Sequence, residues 1–204
     1  SAQAKTQLLI TDTVGGDLLW VDPKKGEIHR LAVGAAPFSV VTNGKDRAYV
    51  ATVEGVAFVD LKARKVIRTV RYAENPGRPR QGEYRPGGMG ITIAPDGRRL
   101  YVGVHTKESW DRLDVIDIFA GKVVASTPIG QRPFDVLITP DGKTVFTVDH
   151  DSYTMTEINT ATLKRSQISV APLGNGAYDK PHYAALTEDG RIFLPFQGRA
   201  LLEY

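Results

Sequence analysis

The chain has no cysteine, which excludes disulfides, thiolate metal sites and cysteine nucleophiles together. No run approaches the ~18 apolar residues that a membrane-spanning helix requires. No stretch sustains a 3.6-residue hydrophobic period, so nothing argues for a long amphipathic helix. There is no nucleophile elbow, P-loop, dinucleotide fingerprint or zinc-protease helix, and no serine and histidine are joined by a third partner at a diagnostic spacing. Charge is mild: +3, with a pI near 9.1, which permits an anionic partner without demanding one.

What the chain does have is a repeat. Glycine turns recur as Asn43-Gly44-Lys45, Asp96-Gly97-Arg98, Asp141-Gly142-Lys143 and Asp189-Gly190-Arg191, with glycines 53, 45 and 48 residues apart. A strand follows each turn: AYVATV (48–53), LYVGVH (100–105), VFTVDH (145–150) and IFLPFQ (192–197). Strand-ending acids come next, in WVDPKKGEI, FVDLKARKV and VIDIFAGKV, with a diverged TEINTATLKR (156–165). A period of this size built from short strands predicts four-stranded blades around a channel, an all-β propeller in one domain over 1–204. The Asp-Gly turns are read as type I′ hairpins, because glycine supplies positive φ freely. Asp22, Asp60 and Asp117 are read as turn formers that bond their own backbone. Pro37, Pro86, Pro133 and Pro181 mark the start of inner strands, where proline costs no ladder bond. The predicted inner strands are 38–43, 89–95 and 134–139.

These blocks resemble the YVTN-type repeat of exported bacterial seven-bladed propellers, the match being carried by ITIAPDGRRLYVGV (91–104), LDVIDIFAGKVVASTPIGQRP (113–133) and LITPDGKTVFTVD (137–149). The resemblance implies a seven-bladed ring and a periplasmic or secreted location. Its motifs are specific for fold and say little about activity. Ser1-Ala2-Gln3-Ala4 is similar to the stub left by signal-peptide cleavage, though a cloning scar reads the same way. The chain opens in a second strand and closes in a third. Three complete blades and two partial ones are therefore expected, against roughly 300 residues for seven blades of ~45. A missing segment or another copy would complete the ring, and unpaired edges predict association of the isolated chain.

Loops between second and third strands, and between outer and inner strands, should emerge together at the channel mouth. His105 and His150 each lie eight residues past a turn glycine, and His182 follows Pro181. Packed sheets lie ~10 Å apart, and two imidazoles with ~2 Å metal bonds could just span that gap. The three histidines are thus expected to converge, either as a copper or zinc site or as loop histidines making ordinary hydrogen bonds. His29, in an outer strand, is read as structural. The insertion 72–90 brings Arg78, Arg80, Tyr84 and Arg85, suited to anionic groups or to stacking. Trp110, Arg132 and Tyr153 complete the candidate binding set. Offset by Glu74 and Glu83, the loop's three arginines leave only +1, a weak basic patch that makes nucleic-acid binding the lesser alternative. The leading expectation is an exported binding module for a small molecule or protein. The alternative is an oxidoreductase with a His-ligated copper or haem-type cofactor on the same face.

Overall fold

The computed structural model describes residues 7–26, 28–78, 85–107, 110–171, 180–197 and 201–204. Among them there is no helix, and five antiparallel sheets follow one another along the chain. The first holds β1 (Leu8–Asp12), β2 (Asp17–Val21) and β3 (Ile28–Ala32). The second holds β4 (Val40–Thr42), β5 (Arg47–Ala51), β6 (Gly55–Asp60) and β7 (Lys65–Arg71). The third runs through β8 (Gly87–Ile93), β9 (Arg99–His105), β10 (Arg112–Asp117) and β11 (Lys122–Pro128). The fourth is β12 (Pro133–Ile138), β13 (Thr144–Asp149), β14 (Thr154–Asn159) and β15 (Arg165–Ser169). The fifth is β16 (Ala185–Leu186), β17 (Ile192–Pro195) and β18 (Leu201–Glu203). Strand order within each sheet is sequential, and the inner strands β4, β8, β12 and β16 neighbour one another in turn.

Alternation along the second strand of a sheet explains how the sheets stack. In β5, Ala48 and Val50 join Leu18 and Trp20 of the first sheet, while Tyr49 and Ala51 join Leu100 and Val102 of the third. In β13, Val145 faces Leu113 and Val115, while Phe146 and Val148 face Ile192 and Leu194. Both faces of such strands are buried, which is why they read as continuous apolar runs rather than as a clean alternation. His29 on β3 packs edge-on against Trp20, with ring centroids 5.6 Å apart, in the structural role expected of it.

The turns differ from expectation in one respect. Gly44, Gly97, Gly142 and Gly190 have φ between 70° and 91°, but the residue before each does not. A type I′ turn needs both central residues at positive φ. Instead Gly97 N–H donates to Ala94 O, a type I turn whose last residue is the left-handed glycine. The side chain of Asp96 accepts from Arg98 N–H at 2.9 Å, and this Asx bond holds it in the right-handed region. The strand-ending acids form the local turns predicted: Asp60 Oδ1 accepts from Lys62 N–H at 3.0 Å and from Ala63 N–H at 2.8 Å. The inner strand of the third sheet begins at Gly87, two residues before its predicted start, so the irregular part of the insertion is shorter than 72–90.

Candidate functional site

One end of the stack gathers the two loop types. Ile129 N–H donates to Asp111 O, and His150 and Asp151 N–H donate to Arg132 O and Gln131 O. Gln197 N–H donates to Lys180 O. The loop from outer to inner strand is therefore sewn to the loop between second and third strands in successive sheets. Register breaks in β8 between Gly88 and Ile91, and in β12 between Pro133 and Asp135, fall at this same end. Such irregularities re-aim side chains. Phe134 lies within the second break, and its ring stacks on Phe38, with centroids 5.6 Å apart and planes 19° apart. Tyr183 completes an aromatic cluster, 6.4 Å from Phe38 and from Phe134.

Three cations gather at this end, and the sequence holds a local signal for them. Of the four register prolines, Pro86, Pro133 and Pro181 are preceded by Arg85, Arg132 and Lys180 in three successive sheets. The Arg85 guanidinium lies over Phe38 at 5.0 Å and that of Arg132 over Phe134 at 5.1 Å. Lys180 Nζ sits 5.8 Å from the Tyr153 ring. Both arginines are only 1 % exposed. The candidate binding set is thus partly interior: Arg78 of the 72–90 insertion is exposed, but Arg85 of the same insertion is buried, as is Arg132, and Tyr153 is buried beneath Lys180. Burial is enforced by backbone geometry, since Arg132 and Tyr153 hold φ of 58° and 55°, a conformation that non-glycine residues adopt only where surroundings compel it. Arg80 and Tyr84 lie outside the described residues. Trp110 is 73 % exposed at the rim.

Asp151 is the anion of this cluster. Its carboxylate accepts from Lys180 Nζ at 2.8 Å, from Arg132 Nη1 at 3.2 Å and from His150 Nδ1 at 2.8 Å. Burial pushes its carboxyl up, but these three donors outweigh it and hold the group well below the usual carboxylate range. Nδ1 of His150 bonds Asp151, and its Nε2 is buried with no hydrogen-bond partner. A second carboxylate, Asp111, accepts from His105 Nδ1 at 2.9 Å, Thr106 N–H at 3.0 Å and Arg132 N–H at 2.5 Å. Nearby, burial lifts Asp135 to about 6 against the hydrogen bonds from Ala184 and Val136 N–H, and raises Tyr183 too. Desolvation lowers Arg85 to about 10.

The three-histidine convergence does not form. His150 and His182 do meet, with ring centroids 5.2 Å apart and planes at 86°. His105 is instead held by Asp111 on its own loop. Among the described residues no group of three metal-capable side chains assembles, so the copper or zinc site expected from His105, His150 and His182 is not built. The reason is local: each repeat histidine has a carboxylate within six residues, and the short contact prevails over the distant one. Beside the mouth, a cavity of about 270 Å³ is lined by Val53, Glu54, Arg71, Tyr72, Glu74 and Pro76.

A scan against protein-family models finds no match, and a search of curated proteins finds none either. Solved structures do match. The chain is similar to hydrazine synthase of Kuenenia stuttgartiensis, with 21% identity and a TM-score of 0.55, over 92% of this chain and 70% of that one. It is similar to regucalcin, a calcium-binding protein of Agrobacterium tumefaciens, with 12% identity and a TM-score of 0.72, over 98% of this chain and 67% of that one. A protein of unknown function from Bacteroides caccae gives 12% identity and a TM-score of 0.68, over 98% and 69% of the two chains. At such identities the likeness carries the fold and nothing further. The chain is an all-β protein of propeller type.

Proposed function

We propose that this chain is an exported β-propeller of the YVTN-repeat type that works as a binding module, recognising an anionic group at the mouth where its loops gather. One observation carries the reading: Arg85, Arg132 and Lys180 occupy equivalent places in three successive sheets, which brings three cationic side chains to one end of the stack, with Asp151 ion-paired to two of them. Charge focused in a partly desolvated concavity attracts an acidic ligand more strongly than the same charge spread over a surface. The repeat blocks at 91–104, 113–133 and 137–149 support the family, and the family resemblance supports export.

The test is a titration of the isotopically labelled chain with acetate, phosphate and sulfate, followed by amide and side-chain NMR shifts. Shifts are expected to concentrate at Lys180, Asp151 and His182, and Lys180→Ala should weaken the response at least threefold. Shifts spread evenly over the surface, or centred on the opposite end at the glycine turns, would overturn the reading.

A further inference from the structure

Arg85 is the least explained group in the molecule. Its guanidinium has five N–H donors. One on Nη1 reaches Pro86 O at 3.1 Å and one on Nη2 reaches Gly88 O at 2.6 Å. Nε is buried with no partner, and among the described residues no carboxylate stands in ion-pair contact with Arg85. An uncompensated buried charge is costly, and native structures retain one only where something else completes it. The repeat shows what is missing. Arg132 is the equivalent residue in the next sheet, and its partner Asp151 directly follows the repeat histidine His150. In the sheet of Arg85 the repeat histidine is His105, and the residue after it is Thr106. The carboxylate that serves one arginine internally is absent for the other.

The aromatic surroundings narrow the class of molecule that supplies it. The Arg85 guanidinium carbon lies 5.0 Å from the centre of the Phe38 ring. Tyr183 is half exposed, at 50 %, and stands 6.4 Å from both phenylalanine rings, whereas those two stand 5.6 Å from each other. A carboxylate that reaches Arg85 brings its body against these rings, whose faces favour a flat, unsaturated group over a saturated one.

We infer that Arg85 is the receptor for the carboxylate of a flat, unsaturated acid whose body packs against Tyr183 and the Phe38–Phe134 pair. This rests on the anionic reading of the mouth and assigns its ligand class. Arg85 closes the ion pair with a forked contact of the kind guanidinium makes best, and Tyr183 supplies a half-exposed aromatic face.

The test uses benzoate as the probe, with cyclohexanecarboxylate and inorganic phosphate for comparison, on the wild-type chain. Arg Nε–Hε resonances and tyrosine ring signals are followed by NMR. Benzoate is expected to move the Arg85 Nε–Hε and Tyr183 signals and to bind at least tenfold more tightly than either comparator. Arg85→Lys keeps the charge but loses the fork, and it should weaken benzoate at least tenfold while leaving the weak phosphate response in place. Equal binding of benzoate and cyclohexanecarboxylate overturns the flat-acid assignment. Shifts at Lys180 and His182 with Arg85 unmoved overturn the role of Arg85 and leave the anionic mouth standing. Silence at every mouth residue overturns both. Because the wild-type resonances are read directly, the outcome does not depend on the folding of a variant.

Discussion

Asp149 shows how one buried residue ties stability to pH. It is fully buried, and its carboxyl accepts from Thr147 Oγ1 at 2.7 Å, Thr156 Oγ1 at 2.6 Å and Thr154 Oγ1 at 3.1 Å. Desolvation dominates these hydroxyls and raises it from 3.8 to about 7. Between those values the native state holds a proton that the unfolded chain has released. Stability is therefore greatest below about pH 4 for this group and falls as pH climbs towards 7. At ~1.4 kcal/mol per pH unit the loss is on the order of a few kcal/mol. Asp135, raised to about 6, acts in the same direction over a narrower range. Asn is the neutral isostere of a protonated aspartate. Asp149→Asn is expected to remove the larger part of the decline between pH 4 and 7, measured by urea unfolding at several pH values. An unchanged slope would place the proton elsewhere. Asp151, held low by its cations, stabilises at neutral pH and loses its contribution only in strong acid.

At the scale of elements, the inner strands approach so closely that side chains are excluded. A Cβ added to Gly90 of β8 would lie 2.5 Å from the backbone of Asp135 in β12, and one added to Gly103 of β9 would lie 2.6 Å from Pro133. Neither contact can be relieved by a side-chain rotation of the glycine's own strand, so adjacent sheets would have to separate. Gly90→Ala is expected to cost about 1–3 kcal/mol, as overpacking of a filled interior does, read as a lower urea midpoint at unchanged m-value. A cost below ~0.5 kcal/mol would show that the inner strands slide freely. The same closeness holds the register break of β12 in place and with it the aim of Phe134. The element that packs the sheets together thus also shapes the mouth.

At the scale of the molecule, the apolar core of the described residues is divided into four clusters, each lying between two successive sheets. Stability in such stacks is a sum of sheet and nearest-neighbour terms rather than the property of one central core. The second, third and fourth sheets are cored on both faces, the first and fifth on one. Amide exchange of this chain is therefore expected to be slowest in β5, β9 and β13 and to be faster in β2 and β17, with the difference visible as separate protection classes. Uniform protection across all five sheets would instead mark a single cooperative unit.

The repeat, the strand order and the Asx turns were legible in the linear sequence because each depends on residues within a few positions of one another. Asp60 bonds Lys62 and Ala63, and Asp22 bonds Lys24; such contacts form wherever the local pattern occurs. The binding end was legible only as a set of loops. Its contents depended on distance. Phe38 and Phe134 are 96 residues apart in sequence and stacked in space, and nothing local marks either as a partner. His105 and His150 looked equivalent by spacing, yet Asp111 takes one and Asp151 the other. Arg85 read as an exposed loop cation because hydrophilicity is a local property. Burial is a collective one, decided when the neighbouring sheets close over the side chain. That strands of this period stack into blades follows from the repeat alone. Which side chains the stacking encloses, and which buried charge it leaves without a partner, follows from contacts between sheets far apart in the chain.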